Sequence, residues 1–246
     1  MTQHWQDPQA YRYTGTLSAD QWAWEFLRRN TEYRQDWQWF EPLWLQLEAD
    51  YGKPPHRDMA RWKQDARAWR SEAELHGCQA ICEKRGDDLL IECWMGTKWG
   101  FFKFPLDPGR DALDVADSLT WRAITGSVDV LTAEDRPDLD SELSATLTFD
   151  LSLPLKDQLE DAKRFLVASQ RKLRKAGKLD ATTISGSRDR WQQALRVLDA
   201  RDQGATDADI VDCVFAGDSN AFARIAAEAD ALAGGDYRRI LLMPPA

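Results

Sequence analysis

Apolar and polar positions change their period twice along the chain, which divides it into three regions. Residues 1 to about 77 follow a helical period. In "WAWEFLRRNTEYRQDW", residues 22 to 37, Trp22, Phe26 and Arg29 share one arc that Ala23 and Leu27 widen, which predicts rings sunk in a core with Glu25 and Arg28 left in water. Ser18 and Gln21 stand ahead of it at capping-box spacing. "WFEPLWLQLEADYGKPP" predicts a helix that ends at Gly52, and "RDMARWKQDARAWRSEAELHG" another that stops at Gly77.

Between 78 and 152 the grammar is that of strands. "CQAICEK" and "DLLIECWMG" flank "RGDD" like the arms of a hairpin; "KWGFFKFPL", "WRAITGSVDVLT" and "ELSATLTFDLSL" supply further short runs, with "TAEDRPDLDSE" as an exposed acidic loop. From 153 to 246 the helical period returns, divided by Gly177, Gly186, Gly204, Gly217, Gly234 and Gly235. Leu155, Leu159, Ala162, Leu166 and Leu173 form one spine. "SRDRWQQALRVLDARDQG", with Ser187 as its N-cap, "TDADIVDCVFAG", capped by Thr206 with Asp209 at the box position, and "DSNAFARIAAEADALAGG" predict three more helices, whose short Gly turns are compatible with a helix-turn-helix unit. The expected fold is therefore α+β: a Trp-rich helical domain over 1–77, a small antiparallel sheet over 78–152, and a helical domain with helix-turn-helix character over 153–246.

Composition narrows the chemistry. The 246 residues are 43% hydrophobic and carry 32 basic against 41 acidic side chains, so a body of net charge -9 repels DNA and anionic membranes except at a local patch. The first twenty residues lack the pattern of a secretory signal and no run is long and apolar enough for a membrane span, so a cytoplasmic protein without a membrane partner is expected. Cys78, Cys82, Cys93 and Cys213, like His4, His56 and His76, do not fall at metal-ligand spacing, and no metal or cofactor is expected. Phosphate loops, nucleophile elbows and metal-binding His-Glu helices are absent from the sequence, and adjacent Asp87 and Asp88 read as solvated turn acids; the expectation is of a protein that is not an enzyme.

One charge feature stands out. "AKRFLVASQRKLRKAGK", residues 162 to 178, holds seven bases and no acid, and Arg164, Arg171, Arg174 and Lys175 lie across the helix from its apolar spine. Acids at the start of that helix (Asp157, Glu160, Asp161) and bases at its end also suit the macrodipole, but seven charges exceed that need.

"DPQAYRYTGTLSADQWAWEFLRRNTEYRQDW" resembles the N-terminal transcriptional-regulator-like domain of a group of proteobacterial regulators. "TFDLSLPLKDQLEDAKRFLVASQRKL", "LRVLDARDQGATDADIVDCVFAG" and "GGDYRRILL" resemble the C-terminal DNA-binding-type domain that such proteins carry. The group includes RovC-type activators of type VI secretion genes, FseA-type activators of mobile-element excision, and antiactivators. The resemblance implies a regulator with a promoter as partner. In one place the sequence departs from it: where the group has an Arg-rich helix before the final motif, this chain reads "AFARIAAEADALAGGDYRR", with Arg224 as the one base ahead of the Gly-Gly pair and Glu228 and Asp230 as acids. Acids there would repel phosphates.

Phosphate contact is accordingly expected from Lys163, Arg164, Arg171, Lys172, Arg174, Lys175 and Lys178, with Arg188, Arg190, Arg238 and Arg239 as secondary candidates. The competing expectation is an antiactivator or assembly adaptor that meets an acidic regulatory protein on the same surface. A homo-oligomer is expected, with the aromatic-rich N-terminal region, six of whose tryptophans precede residue 45, as its interface.

Overall fold

The computed structural model describes residues 4–75, 84–102, 104–122, 143–179 and 183–243. It is mostly helical, with one small antiparallel sheet. After a 3-10 segment at Pro8–Thr16 come α1 (Ala19–Leu27), α2 (Thr31–Tyr51) and the short α3 (Met59–Trp62). Strands β1 (Trp69–Ser71), β2 (Lys84–Arg85) and β3 (Asp88–Leu90) precede α4 (Ile91–Trp99), and α5 (Leu155–Lys175), α6 (Ile184–Asp202), α7 (Asp207–Phe215), α8 (Ser219–Ala231) and α9 (Tyr237–Ile240) follow.

The caps mark most boundaries. Ser18 and Gln21 make both bonds of the expected capping box on α1, and Thr206 and Asp209 do the same on α7. Asn30 starts α2 by accepting the Tyr33 amide proton at 2.7 Å, so the opening stretch is two helices, and α2 stops at Gly52 as expected. The cap of α6 is Thr183 rather than Ser187: the Thr183 hydroxyl accepts from the Gly186 amide, and Ser187 is buried inside the helix.

Two stretches differ from their expected elements. The helix predicted up to Gly77 is cut after Trp62, because Asp65 accepts from the Arg67 amide at 2.8 Å and turns the chain into β1. "DLLIECWMG" is strand only as far as Leu90, and from Ile91 it winds into α4. Ile91 to Thr97 are all buried, and a helix immersed on every side shows no polar stripe, so its sequence cannot be told from that of a buried strand.

β3 lies between the other two strands, pairing Trp69 with Leu90 on one side and Arg85 with Asp88 on the other. The expected hairpin around "RGDD" is present, its turn held by Gly86 at φ 64. The rest of the expected middle sheet is not seen among the described residues: Phe101 and Trp121 form a single bridge, 143–153 holds turns but no strand, and most of "CQAICEK" and "WRAITGSVDVLT" lies outside the described residues.

One aromatic core joins the two ends of the chain. Trp22 meets Trp191 of α6 edge-on at 5.3 Å and stacks beside Phe26 at 6.2 Å. The expected burial of Trp22 and Phe26 therefore holds. Two arginines are sandwiched between indoles: Arg57 between Trp44 (4.4 Å) and Trp62 (4.0 Å), and Arg70 between Trp39 (4.2 Å) and Trp94 (4.0 Å).

Glu25, expected in water, is fully buried, and Arg29 is buried beside it. Arg29 reaches Asp199 of α6 with two nitrogens, at 2.7 and 2.9 Å, and donates a third bond to Glu25. Arg28 (2.9 Å), the Tyr13 hydroxyl (2.8 Å) and the Ala112 amide (2.8 Å) complete the shell around Glu25, and Tyr11 donates to Asp199 at 2.6 Å. Burial alone would raise the Glu25 pKa, but Arg29 and Arg28 outweigh it and hold the carboxyl below its ordinary value. Tyr11 moves up, through burial and the neighbouring Asp199 charge. This buried network ties α1 to α6.

Candidate nucleic-acid interface

The basic segment forms α5, whose charge is ordered along its length. Asp157 stands in the first turn and Lys172, Arg174 and Lys175 in the last, as the macrodipole favours. Gln158 and Asp150 exchange two bonds of 2.9 Å that fold the preceding turn onto the helix start. The far end closes where Gly177, at φ 67, lets the Lys178 amide return to the Leu173 carbonyl at 3.0 Å.

No residue of α5 is buried. Lys163, Arg164, Arg171, Lys172, Arg174, Lys175 and Lys178 are all exposed, and the structure brings these seven expected contacts onto one segment. Arg164 pairs with Asp161 one turn back and stays 76% accessible. The apolar spine on the other side, expected to pack, is exposed as well: Leu155, Leu159 and Leu166 all face solvent.

The secondary candidates lie elsewhere. Arg190 bonds Glu228 of α8 at 2.9 Å, an acid that also accepts from the Trp191 indole at 3.2 Å, so this arginine fastens α6 to α8. Arg188 is partly buried. Arg238 donates to the Lys98 carbonyl and Tyr237 to that of Trp99 at 2.7 Å, so the pair caps the end of α4. Arg239 is exposed and 3.6 Å from Asp236.

α7 and α8, the pair expected to have helix-turn-helix character, are joined by Ala216–Asp218 and pack on α6 and on each other. Their outer surface is acidic or small. Asp207, Asp209, Asp212 and Asp218 are exposed on and just after α7, and the exposed positions of α8 are Ser219, Asn220, Ala223, Arg224, Ala227, Asp230 and Ala231.

The tryptophans expected at an interface between copies are largely withdrawn from the surface. Trp5, Trp22 and Trp24 are buried, and Trp37, Trp39 and Trp44 pack against the core. Among the described residues no group of acidic, His or Cys side chains could hold a metal, and no helix is long and apolar enough to cross a membrane.

The Glu25–Arg29–Asp199 network was missed by sequence reasoning. Helical spacing of Glu25 and Arg29 was a signal, whereas Asp199 lies 170 positions away and left none.

Residues 4–70 match the model of a proteobacterial transcriptional regulator-like domain. The match covers the 3-10 segment, α1, α2, α3 and the start of β1, and it points to a regulatory role. Comparison with curated proteins and with solved structures gives no match.

Proposed function

We propose that this chain is a cytoplasmic DNA-binding transcriptional regulator, not an enzyme, that grips phosphates through the basic face of α5. The observation that carries this reading is the gathering of seven exposed cations on one segment of a chain whose net charge is -9. From Arg164 to Lys178 the segment would extend about 21 Å if helical throughout, room for several phosphate contacts. These contacts position a protein without reading sequence. Activation of secretion-system or mobile-element promoters follows from the family resemblance; helix-turn-helix docking of α8 is a weaker proposal, given its single exposed base.

The test is the salt dependence of binding to promoter DNA. Replacing Arg171, Lys172, Arg174 and Lys175 with Ala should reduce the slope of log affinity against log salt by roughly 0.9 for each phosphate that is no longer neutralised. An unchanged slope removes α5 from the interface. The second reading is an antiactivator or adaptor that meets an acidic protein on the same α5 cations; the acidic surface of α7, which repels phosphates, favours it over DNA docking, and it would show as no DNA binding at low salt.

A further inference from the structure

We propose that α5 pairs antiparallel with the α5 of a second copy of this chain. Phosphates have no use for leucines, yet Leu155, Leu159, Phe165 and Leu166 are 47%, 56%, 53% and 40% exposed. Leu155, Leu159, Ala162, Leu166, Ser169 and Leu173 follow one another at alternating steps of four and three residues, the seam of a two-helix coil.

Side-chain volume selects the direction. In a parallel pair, equivalent residues face each other, so wide Leu–Leu layers at 159, 166 and 173 would alternate with narrow Ala–Ala and Ser–Ser layers. Reversing one helix about a two-fold axis near residue 164 sets Leu159 opposite the small Ser169 of the other copy and Leu166 opposite its Ala162. The same register places Leu173 opposite Leu155. Large side chains then fill the space left by small ones, and the interface is isologous.

Charge selects the same direction. Asp157, Glu160 and Asp161 occupy one end of the helix and Arg171, Lys172, Arg174 and Lys175 the other. Antiparallel pairing lays each acidic end alongside a basic one and opposes the macrodipoles, whereas parallel pairing lays the two basic ends side by side; because these charges sit off the seam, this preference is smaller than the one set by volume. Most of the basic face lies across the helix from the seam and stays outward. The pairing stands whether or not that face meets DNA.

Light scattering on the full chain at micromolar concentration tests the pairing. Twice the 28.2 kDa chain mass is expected, falling to the single-chain mass in Leu166→Glu, with circular dichroism and tryptophan emission confirming that the body stays folded. Direction is read by cysteine trapping after Cys78, Cys82 and Cys213 are changed to Ser. Phe165→Cys sits beside its own equivalent across the two-fold and should form a disulfide-linked dimer on oxidation. Leu159→Cys would meet its equivalent only in a parallel pair and should not. A single-chain mass for the unaltered protein, a dimer indifferent to Leu166→Glu, or trapping through Leu159→Cys instead of Phe165→Cys overturns the proposal. Mass and trapping are read without DNA, so failure here is distinct from failure of the DNA-binding reading.

Discussion

α1, with the Arg28 and Arg29 that close it, and α5 are built from similar materials, an apolar arc accompanied by acids and arginines, yet Trp22 to Leu27 are all buried whereas no residue of α5 is. The difference lies in what surrounds the charges. Glu25 and Arg29 enter the core because Asp199, Tyr13 and the Ala112 amide supply the bonds that water would otherwise provide. α5 keeps its charges at the surface, where water serves them; its helicity rests on good helix formers, a charge order that suits the dipole, and a glycine stop. Amphipathic pattern makes a helix eligible for burial, and satisfied charges decide whether an Arg-rich helix is buried.

The largest test of this contrast is Arg29→Met. It strands Glu25 and Asp199 without their shared counter-charge and should cost about 3 to 5 kcal/mol in urea denaturation, as Trp22→Ala should by leaving a cavity. Arg171→Met on α5 should stay within about 0.5 kcal/mol of the parent. Equal losses at the two sites would erase the distinction between the helices.

An intermediate effect is expected with pH. The Glu25 pKa is depressed in the folded state, so its contribution is complete above the unfolded carboxylate pKa of about 4.3 and is lost as pH falls through the lower folded value. Urea midpoints measured from neutral pH downward should therefore drop in acid, and Glu25→Gln should be less stable at neutral pH with a flatter acid limb. A parallel pair of curves would show that Glu25 carries no linked proton.

The smallest effect belongs to Leu159→Ala at submicromolar concentration, where copies are apart. It should cost under about 1 kcal/mol, against about 2 to 5 for a buried leucine such as Leu195. A core-sized loss at that dilution would place Leu159 in intramolecular packing.

What the sequence made legible was local. Ser18 with Gln21, Thr206 with Asp209, the Gly52 stop, the turn at Gly86 and the helical periods of α5 to α8 could all be read from near neighbours. Long-range partners could not: Asp199 claims Arg29, Glu228 claims Arg190, and the Lys98 carbonyl claims Arg238, so those bases could not be sorted from the exposed run on α5 in advance. α4 was read as strand because complete immersion removed its polar face, and alternation in 144–153 implied a strand although no pairing is found there among the described residues.

The ring network has an optical consequence. No tryptophan lies between Trp121 and Trp191, so α5 contains no fluorophore of this kind, while Trp22 with Trp191 (5.3 Å), Trp44 with Trp62 (5.1 Å) and Trp39 with Trp94 (5.9 Å) are close enough to exchange excitation. Indole emission from this protein is a collective signal of the core and is silent about the helix that bears the charge. Unwinding of α5 registers only in the far-ultraviolet peptide bands. The two signals therefore watch different parts of the molecule, and any gap between their transitions measures how far α5 folds on its own account.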